Sequence, residues 1–301
     1  NFIINQYIYI GSGVGIGDFN NDGLEDIFFA GAQVPSKLYI NKGAMEFEDV
    51  TEKAGLTISK WCTGVSVVDI NNDGLQDIYL CVTNASNAES RRNLLFINKG
   101  SLRFSEEAKA YGLDDPGYST QAAFFDQDQD GDLDMYLMNH NVFHDEPNNF
   151  IQDTKGNRMA TDKFYRNIGT PPGGSHPLYQ DASEEAGVKD VAYGLGLTIS
   201  DLNGDGWQDV YVGNDFISND LLWLNNQKGG FTNTISRSMR HQSYNSMGVD
   251  IADLNNDLLP EVVVLDMQPE TNYRKKTMFA GANPERYEME QKMGGFQPQF
   301  A

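Results

Sequence analysis

The chain has 301 residues, 40% of them hydrophobic and 11% aromatic, which is enough to bury a sizeable core and too much for a disordered tail. Its 43 acids against 22 basic residues give a net charge of −21, which argues against a nucleic-acid partner, since phosphate backbones need a basic footprint. The longest apolar runs, such as EVVVLDM at 261–267, fall far short of the roughly 20 residues of a membrane span, so no spanning segment is expected.

The chain opens on NFIINQYIYIG, with no initiator methionine, basic n-region or signal-peptide core, so a removed leader or a longer parent sequence is expected. Next come GVGIG at 13–17, the loop DFNNDGLED at 18–26 and IFFAG at 27–31. Two short apolar or glycine-bearing runs joined by turn chemistry predict a buried β-hairpin. KLYINKG at 37–43 reads as a third strand ending in Asn and Gly, residues that tolerate positive φ. FEDVTEKAGL at 47–56 reads as a short fourth strand running into a linker. Four strands in about 50 residues is the arithmetic of a β-propeller blade.

The pattern returns. DINNDGLQD at 69, DQDQDGDLD at 126, DLNGDGWQD at 201 and DLNNDLLPE at 253 each lie between short apolar runs. Third strands recur at NLLFINKG (93), KFYRNIG (163) and LLWLNNQKGG (221), and fourth elements at FSEEAKAYGL (104) and YQDASEEAGV (179). The leading aspartates are 51, 57, 75 and 52 residues apart, a repeat with insertions. The expected fold is therefore an all-β propeller of four-stranded blades, with about four and a half repeats over residues 1–267. The fifth repeat stops after its second strand. Residues 268–301 are polar and Met-rich, and read as a partly helical insertion or connector to missing blades, with the natural protein expected to continue beyond Ala301.

The loops follow D-x-[DN]-x-D-G-x-x-D. Side chains at positions 1, 3 and 5 converge as the loop curls, and the ninth closes the shell. Asp18, Asn20, Asp22 and Asp26, then Asp69, Asn71, Asp73 and Asp77, then Asp201, Asn203, Asp205 and Asp209 match in full. Asp126, Asp128, Asp130 and Asp134 carry the most charge. In the fifth loop Asp253, Asn255, Asp257 and Glu261 surround Leu258, which stands where the glycine should be. A non-glycine residue in left-handed backbone costs roughly 1–2 kcal/mol, so a weak or empty site is expected there. Hard oxygen donors in a flexible loop suit Ca²⁺, with a backbone carbonyl near position 7 and water completing the shell. Mg²⁺ asks for a tighter octahedron, and nothing soft is present for Zn²⁺. Without a cation, adjacent carboxylates repel at roughly 1 kcal/mol per close pair. Four to five calcium ions, mainly structural staples of their hairpins, are expected.

The repeated DxNxDGxxD between strands, with LYxNxG and FxDVTEKAGL, resembles the FG-GAP or VCBS repeat family, which includes the integrin α-subunit propeller. The tandem arrangement and LDMQPETNYRKK at 265–276 are more specifically similar to VCBS-repeat surface proteins of Bacteroidetes-type bacteria, often carrying an ASPIC/UnbV domain and related to cartilage acidic proteins. The resemblance implies a secreted or lipid-anchored propeller, commonly of about seven blades, with calcium in its blade loops.

Other residues carry less. Cys62 and Cys81 flank the second loop in an offset register, so two buried thiols are expected over a disulfide. His140, His144, Asp145 and Glu146, with His176 further on, lie in the long third interval and read as a polar insertion rather than a zinc or catalytic cluster. Trp61, Trp207 and Tyr118 are candidates to stack on sugars, and Trp223 reads as core. No G-x-S-x-G, phosphate-loop or HExxH motif is present. The function read from these features is a calcium-stabilised extracellular or cell-surface binding module for glycans or proteins. The alternatives are a polysaccharide lyase using the His140/His144 insertion, or an accessory subunit of an outer-membrane nutrient-uptake complex.

Overall fold

The computed structural model describes residues 11–83, 87–140, 159–191, 193–215, 219–243, 245–266, 271, 273–274 and 299–300. The fold is all-β: four antiparallel four-stranded sheets and a two-stranded hairpin, in chain order. The first sheet is β1 (Val14–Gly17), β2 (Asp26–Phe29), β3 (Lys37–Asn41) and β4 (Phe47–Asp49). The second is β5 (Cys62–Val68), β6 (Asp77–Val82), β7 (Leu94–Asn98) and β8 (Phe104–Glu106). The third is β9 (Ser119–Phe125), β10 (Asp134–Asn139), β11 (Lys163–Asn167) and β12 (Tyr179–Asp181). The fourth is β13 (Gly194–Ser200), β14 (Asp209–Asn214), β15 (Leu221–Asn225) and β16 (Phe231–Asn233). A short β17 (Gln242–Ser243) pairs in parallel with β20 (Gln299–Phe300), and β18 (Ser246–Ala252) and β19 (Glu261–Asp266) form the fifth hairpin.

Each sheet is a blade. The first strands β1, β5, β9, β13 and β18 pack successively against one another, so they form the inner edge and the short fourth strands the outer one. Close approach there is set by glycine. A Cβ on Gly15 would stand 2.7 Å from Val65 Cγ1, and one on Gly64 would stand 2.4 Å from Thr120 O. Thr63 Oγ1 donates to Ser119 O at 2.8 Å and Ser66 Oγ to Ala122 O at 2.7 Å, tying the second inner strand to the third.

Alternating side chains of the second and third strands fill the spaces between blades. Phe28, Leu38 and Ile40 meet Ile78, Leu80 and Phe96 between the first and second sheets. Tyr79, Leu95 and Ile97 meet Met135, Leu137 and Tyr165 between the second and third. Tyr136, Met138 and Phe164 meet Val210, Val212 and Trp223 between the third and fourth. Trp223 is core, as expected. Cys62 lies in the first of these layers and Cys81 in the second, on opposite faces of one sheet, and both thiols are free.

A recurrent polar anchor sits just before each third strand. Asp162 accepts from Tyr136 Oη and from Asn139 N, both at 2.8 Å, and Asp220 accepts from Tyr211 Oη and Asn214 N at the same distance. In the second blade Asn93 Oδ1 accepts from Val82 N at 2.8 Å while its Nδ2 donates to Tyr79 Oη. Ser36 Oγ accepts from Gly31 N in the first.

The tail 268–301 falls largely outside the described residues, as do His144, Asp145 and Glu146. Among the described residues no helix is long and apolar enough to cross a membrane.

Candidate metal centre

Every acidic loop joins the first two strands of its blade, so all five share one end of the fold. The first loop shows the plan. Asp18, at position 1, accepts from Asp22 N at 3.0 Å and from Gly23 N at 2.7 Å, which bends the chain back over its side chain. Asn20 Oδ1 accepts from Asp22 N, and Asp22 Oδ1 accepts from Leu24 N, both at 2.9 Å. The same bonds recur from Asp69, Asp73, Asp201 and Asp205. These contacts turn the side chains at positions 1, 3 and 5 toward a common centre.

The curl needs two left-handed residues. Position 6 is Gly23, Gly74, Gly131 and Gly206, with φ from 82° to 93°, and position 4 is Asn21, Asn72, Gln129 and Gly204, with φ from 56° to 73°. In the fifth loop Leu258 takes φ 70° and is 90% exposed. The expected strain is therefore present, and it lies in the backbone, because a Cβ at each of the four equivalent glycines would have no atom within 4 Å.

The ninth residue does more than the sequence indicates. Asp26 is buried; its Oδ2 accepts from Phe19 N at 2.9 Å and its Oδ1 from Asn41 N, at the end of β3, at 2.8 Å. Asp77 repeats this with Ile70 N and Asn98 N, and Asp209 with Leu202 N and Asn225 N. Burial pushes the Asp77 and Asp134 carboxyls up to about 7, backbone N–H donors offsetting only part of the effect, and it raises Asp26 and Asp209 as well. Glu261 in the fifth loop accepts from Leu254 N at 2.7 Å and Asn255 Nδ2 at 2.8 Å, but it is not fully buried and receives no third-strand N–H among the described residues.

Asn41, Asn98, Asn167 and Asn225 complete the foundation. Besides the N–H given to the ninth residue, each side-chain amide donates to the carbonyl of position 8, on Glu25, Gln76, Leu133 and Gln208 respectively. Each Oδ1 accepts an N–H two residues on, closing the turn into the fourth strand. Sequence reading assigns these asparagines to turns only. Their recurrence at one place in four repeats is the signal that they clamp the loop.

In the third loop positions 1, 3 and 5 are all carboxylates. One carboxylate oxygen from each of Asp126, Asp128 and Asp130 can be chosen so that all lie within 4.8 Å of one another. Asp134 Oδ2 is buried without a hydrogen-bond partner; the Gln127 N–H leans on this carboxylate without making a regular bond to that oxygen. Burial, then the charge of Asp130, raises the Asp128 carboxyl. Three clustered carboxylates, on Asp126, Asp128 and Asp130, suit a hard divalent cation, and Asp134, buried at the foot of the loop, is not one of that group. The other full loops offer two aspartates, an asparagine oxygen and the buried ninth acid.

The remaining candidates separate. His140 is buried with Nδ1 on Gly194 O at 3.3 Å, and burial depresses it to about 4, so the ring is a neutral structural group. His176 stacks on Tyr111 with ring centroids 4.3 Å apart. Trp61, Tyr118 and Trp207 are half-buried, and Arg91 lies 4.3 Å over the Tyr118 ring.

The family model described as FG-GAP-like repeat matches residues 18–80 and 201–264, spans that start at the leading aspartates of the first and fourth loops. Cartilage acidic protein 1 of Xenopus tropicalis is 29% identical over 204 residues, and that of Homo sapiens 24%. These alignments cover 67% of this chain and 28% of each relative's length. Among solved structures, an Agrocybe aegerita lectin described as recognising non-reducing terminal N-acetylglucosamine is 19% identical, with a TM-score of 0.46 over 88% of this chain and 64% of its own. The V. cholerae biofilm matrix protein Bap1 is 14% identical, with a TM-score of 0.44 over 85% and 35%. Five loops of one plan lie between the first two strands of their blades, and the family match identifies FG-GAP-like repeats at residues 18–80 and 201–264, beginning at two of those loops.

Proposed function

We propose that the chain is a calcium-stabilised binding module working outside the cell, its blades presenting a surface to glycans or proteins. The observation that carries the calcium reading is the third loop, where the carboxylates of Asp126, Asp128 and Asp130 converge. The other three full loops and the strained fifth bring the expected complement to four or five ions. Each cation would offset repulsion among acids on one hairpin, a structural role. The likeness to proteins named for cartilage supports an extracellular setting. A place in an outer-membrane nutrient-uptake assembly is the alternative reading, and copurification tests it.

Nothing in the described site favours a lyase, because His140 is buried against a backbone carbonyl instead of facing a cleft. Thermal unfolding in EDTA and in millimolar Ca²⁺ tests the proposal. A melting temperature higher in calcium is expected, since ligand at 100 times its Kd adds about 2.7 kcal/mol per site. A further shift with one member of a glycan and peptide panel, without product, would support the binding module. Indifference to calcium would remove the metal reading, and product formation would move the protein to the enzymes.

A further inference from the structure

Neighbouring loops touch through the residue at position 4. Asn21 Nδ2 donates to Gly74 O in the second loop at 3.1 Å, and Gln129 Nε2 donates to Gly206 O in the fourth at 2.7 Å. A clamp asparagine adds a tie at the same junctions: Asn98 Nδ2 to Phe19 O at 2.9 Å, and Asn225 Nδ2 to Gln127 O at 2.8 Å. Among the described residues no such bond joins the second loop to the third, and position 4 of the fourth loop is Gly204, which has no side chain to extend. The first four loops therefore stand as two clasped pairs.

The clasp reaches one particular peptide unit. Gly206 O belongs to the peptide whose N–H, on Trp207, donates to Asp205 Oδ1 at 2.9 Å. Gly74 O likewise shares its peptide with Leu75 N, which donates to Asp73 Oδ1 at 2.9 Å. An amide from the preceding loop thus holds one end of a peptide plane, and the other end orients the position-5 carboxylate. We propose that Asn21 and Gln129 are positioning residues for the cation of the neighbouring loop, so that loops one and two, and loops three and four, bind metal as coupled pairs. This rests on the calcium reading of the loops. A ligand shell preset by hydrogen bonds loses less freedom on binding, so removing the clasp weakens the site beyond it.

Trp207, inside the fourth loop, makes the test site-specific, because an indole beside bound Tb³⁺ sensitises its luminescence. Tb³⁺ titrations of the full-length protein would compare wild type with Gln129→Met, which removes the donor at similar size, and with Gln129→Asn, which restores an amide of the length Asn21 uses. Trp207→Phe assigns the signal. The expected result is an apparent Tb³⁺ affinity lower by about two- to tenfold in Gln129→Met, the scale of one hydrogen bond, and recovered in Gln129→Asn. Gln129 is exposed, so these variants are expected to fold, and circular dichroism checks it. An unchanged midpoint in Gln129→Met, or an equal loss in both variants, would overturn the clasp. Absence of any Tb³⁺ signal in the wild type, with melting indifferent to calcium, would overturn the metal reading first, and the clasp with it.

Discussion

Asp162 sits just before a third strand, away from the acidic loops. It is fully buried between blades, accepting from Tyr136 Oη and Asn139 N, and burial raises its carboxyl to about 7 against those two donors. Asp220, its counterpart in the fourth blade, is raised to about 6 for the same reason. A folded pKa above the unfolded 3.8 means that the folded state holds the proton more tightly. Asp162 therefore contributes stability that is complete below about pH 4 and is lost as pH rises toward 7. Each tenfold difference in proton affinity between the folded and unfolded chain is worth about 1.4 kcal/mol. Asp162→Asn keeps an acceptor for Asn139 N and removes the titration. Its denaturation midpoint, compared with wild type at fixed calcium, should gain on the wild type steadily from pH 4 to 7. A constant difference across that range would show that Asp162 does not titrate there. The sequence shows a polar residue at this place in four blades, Ser36, Asn93, Asp162 and Asp220, but each looks like the last residue of a loop. In three of them the tyrosine of the adjacent second strand, Tyr79, Tyr136 or Tyr211, reveals it as an anchor.

Hairpins, loops and third strands were legible because apolar runs alternate with punctuating Asp, Asn and Gly at a fixed interval. The work of the third-strand asparagine was not legible, because it depends on which groups a neighbouring blade brings near. Asn98 is buried and donates to both Phe19 O and Gln76 O while accepting from Gly100 N. Asn98→Ala would strand two carbonyls and an N–H at the foot of two loops. A stability loss of about 2–3 kcal/mol is expected, on the scale of leaving buried polar groups unpaired. Urea unfolding measures it, and a change below about 0.5 kcal/mol would show that water replaces the amide freely. The ninth aspartates belong to the same element. Their spacing marked them as the closing ligands, but two backbone partners each make Asp26, Asp77 and Asp209 the link between loop and third strand, and Asp134 makes the third-strand bond from Asn167 N.

At the scale of the whole molecule, the first sheet presents a face whose counterparts are covered. Ile27 pairs with Tyr39 as Ile78 pairs with Phe96, Met135 with Tyr165 and Val210 with Trp223. The last three pairs lie in the layers between blades, whereas Phe29, Val14 and Ile16 on the first sheet are exposed. A cavity of about 410 Å³ opens among Ile27, Phe29, Val34, Tyr39 and Phe47. On the fifth hairpin, Val249, Ile251, Val262 and Val264 pack on the fourth blade, while Val263 and Leu265 are exposed. A further blade stacked on the first sheet would cover its exposed face. Phe29→Lys separates the possibilities. If another blade covers this face in the full-length protein, burying a lysine there should lower stability by several kcal/mol, because an unpaired charge is costly to desolvate. If water covers it, the change should stay within about 0.5 kcal/mol, as for an ordinary surface substitution. Lys37 already sits at the edge of the same face, paired with Asp49 at 2.8 Å, so a covering blade would have to leave that ion pair at the rim.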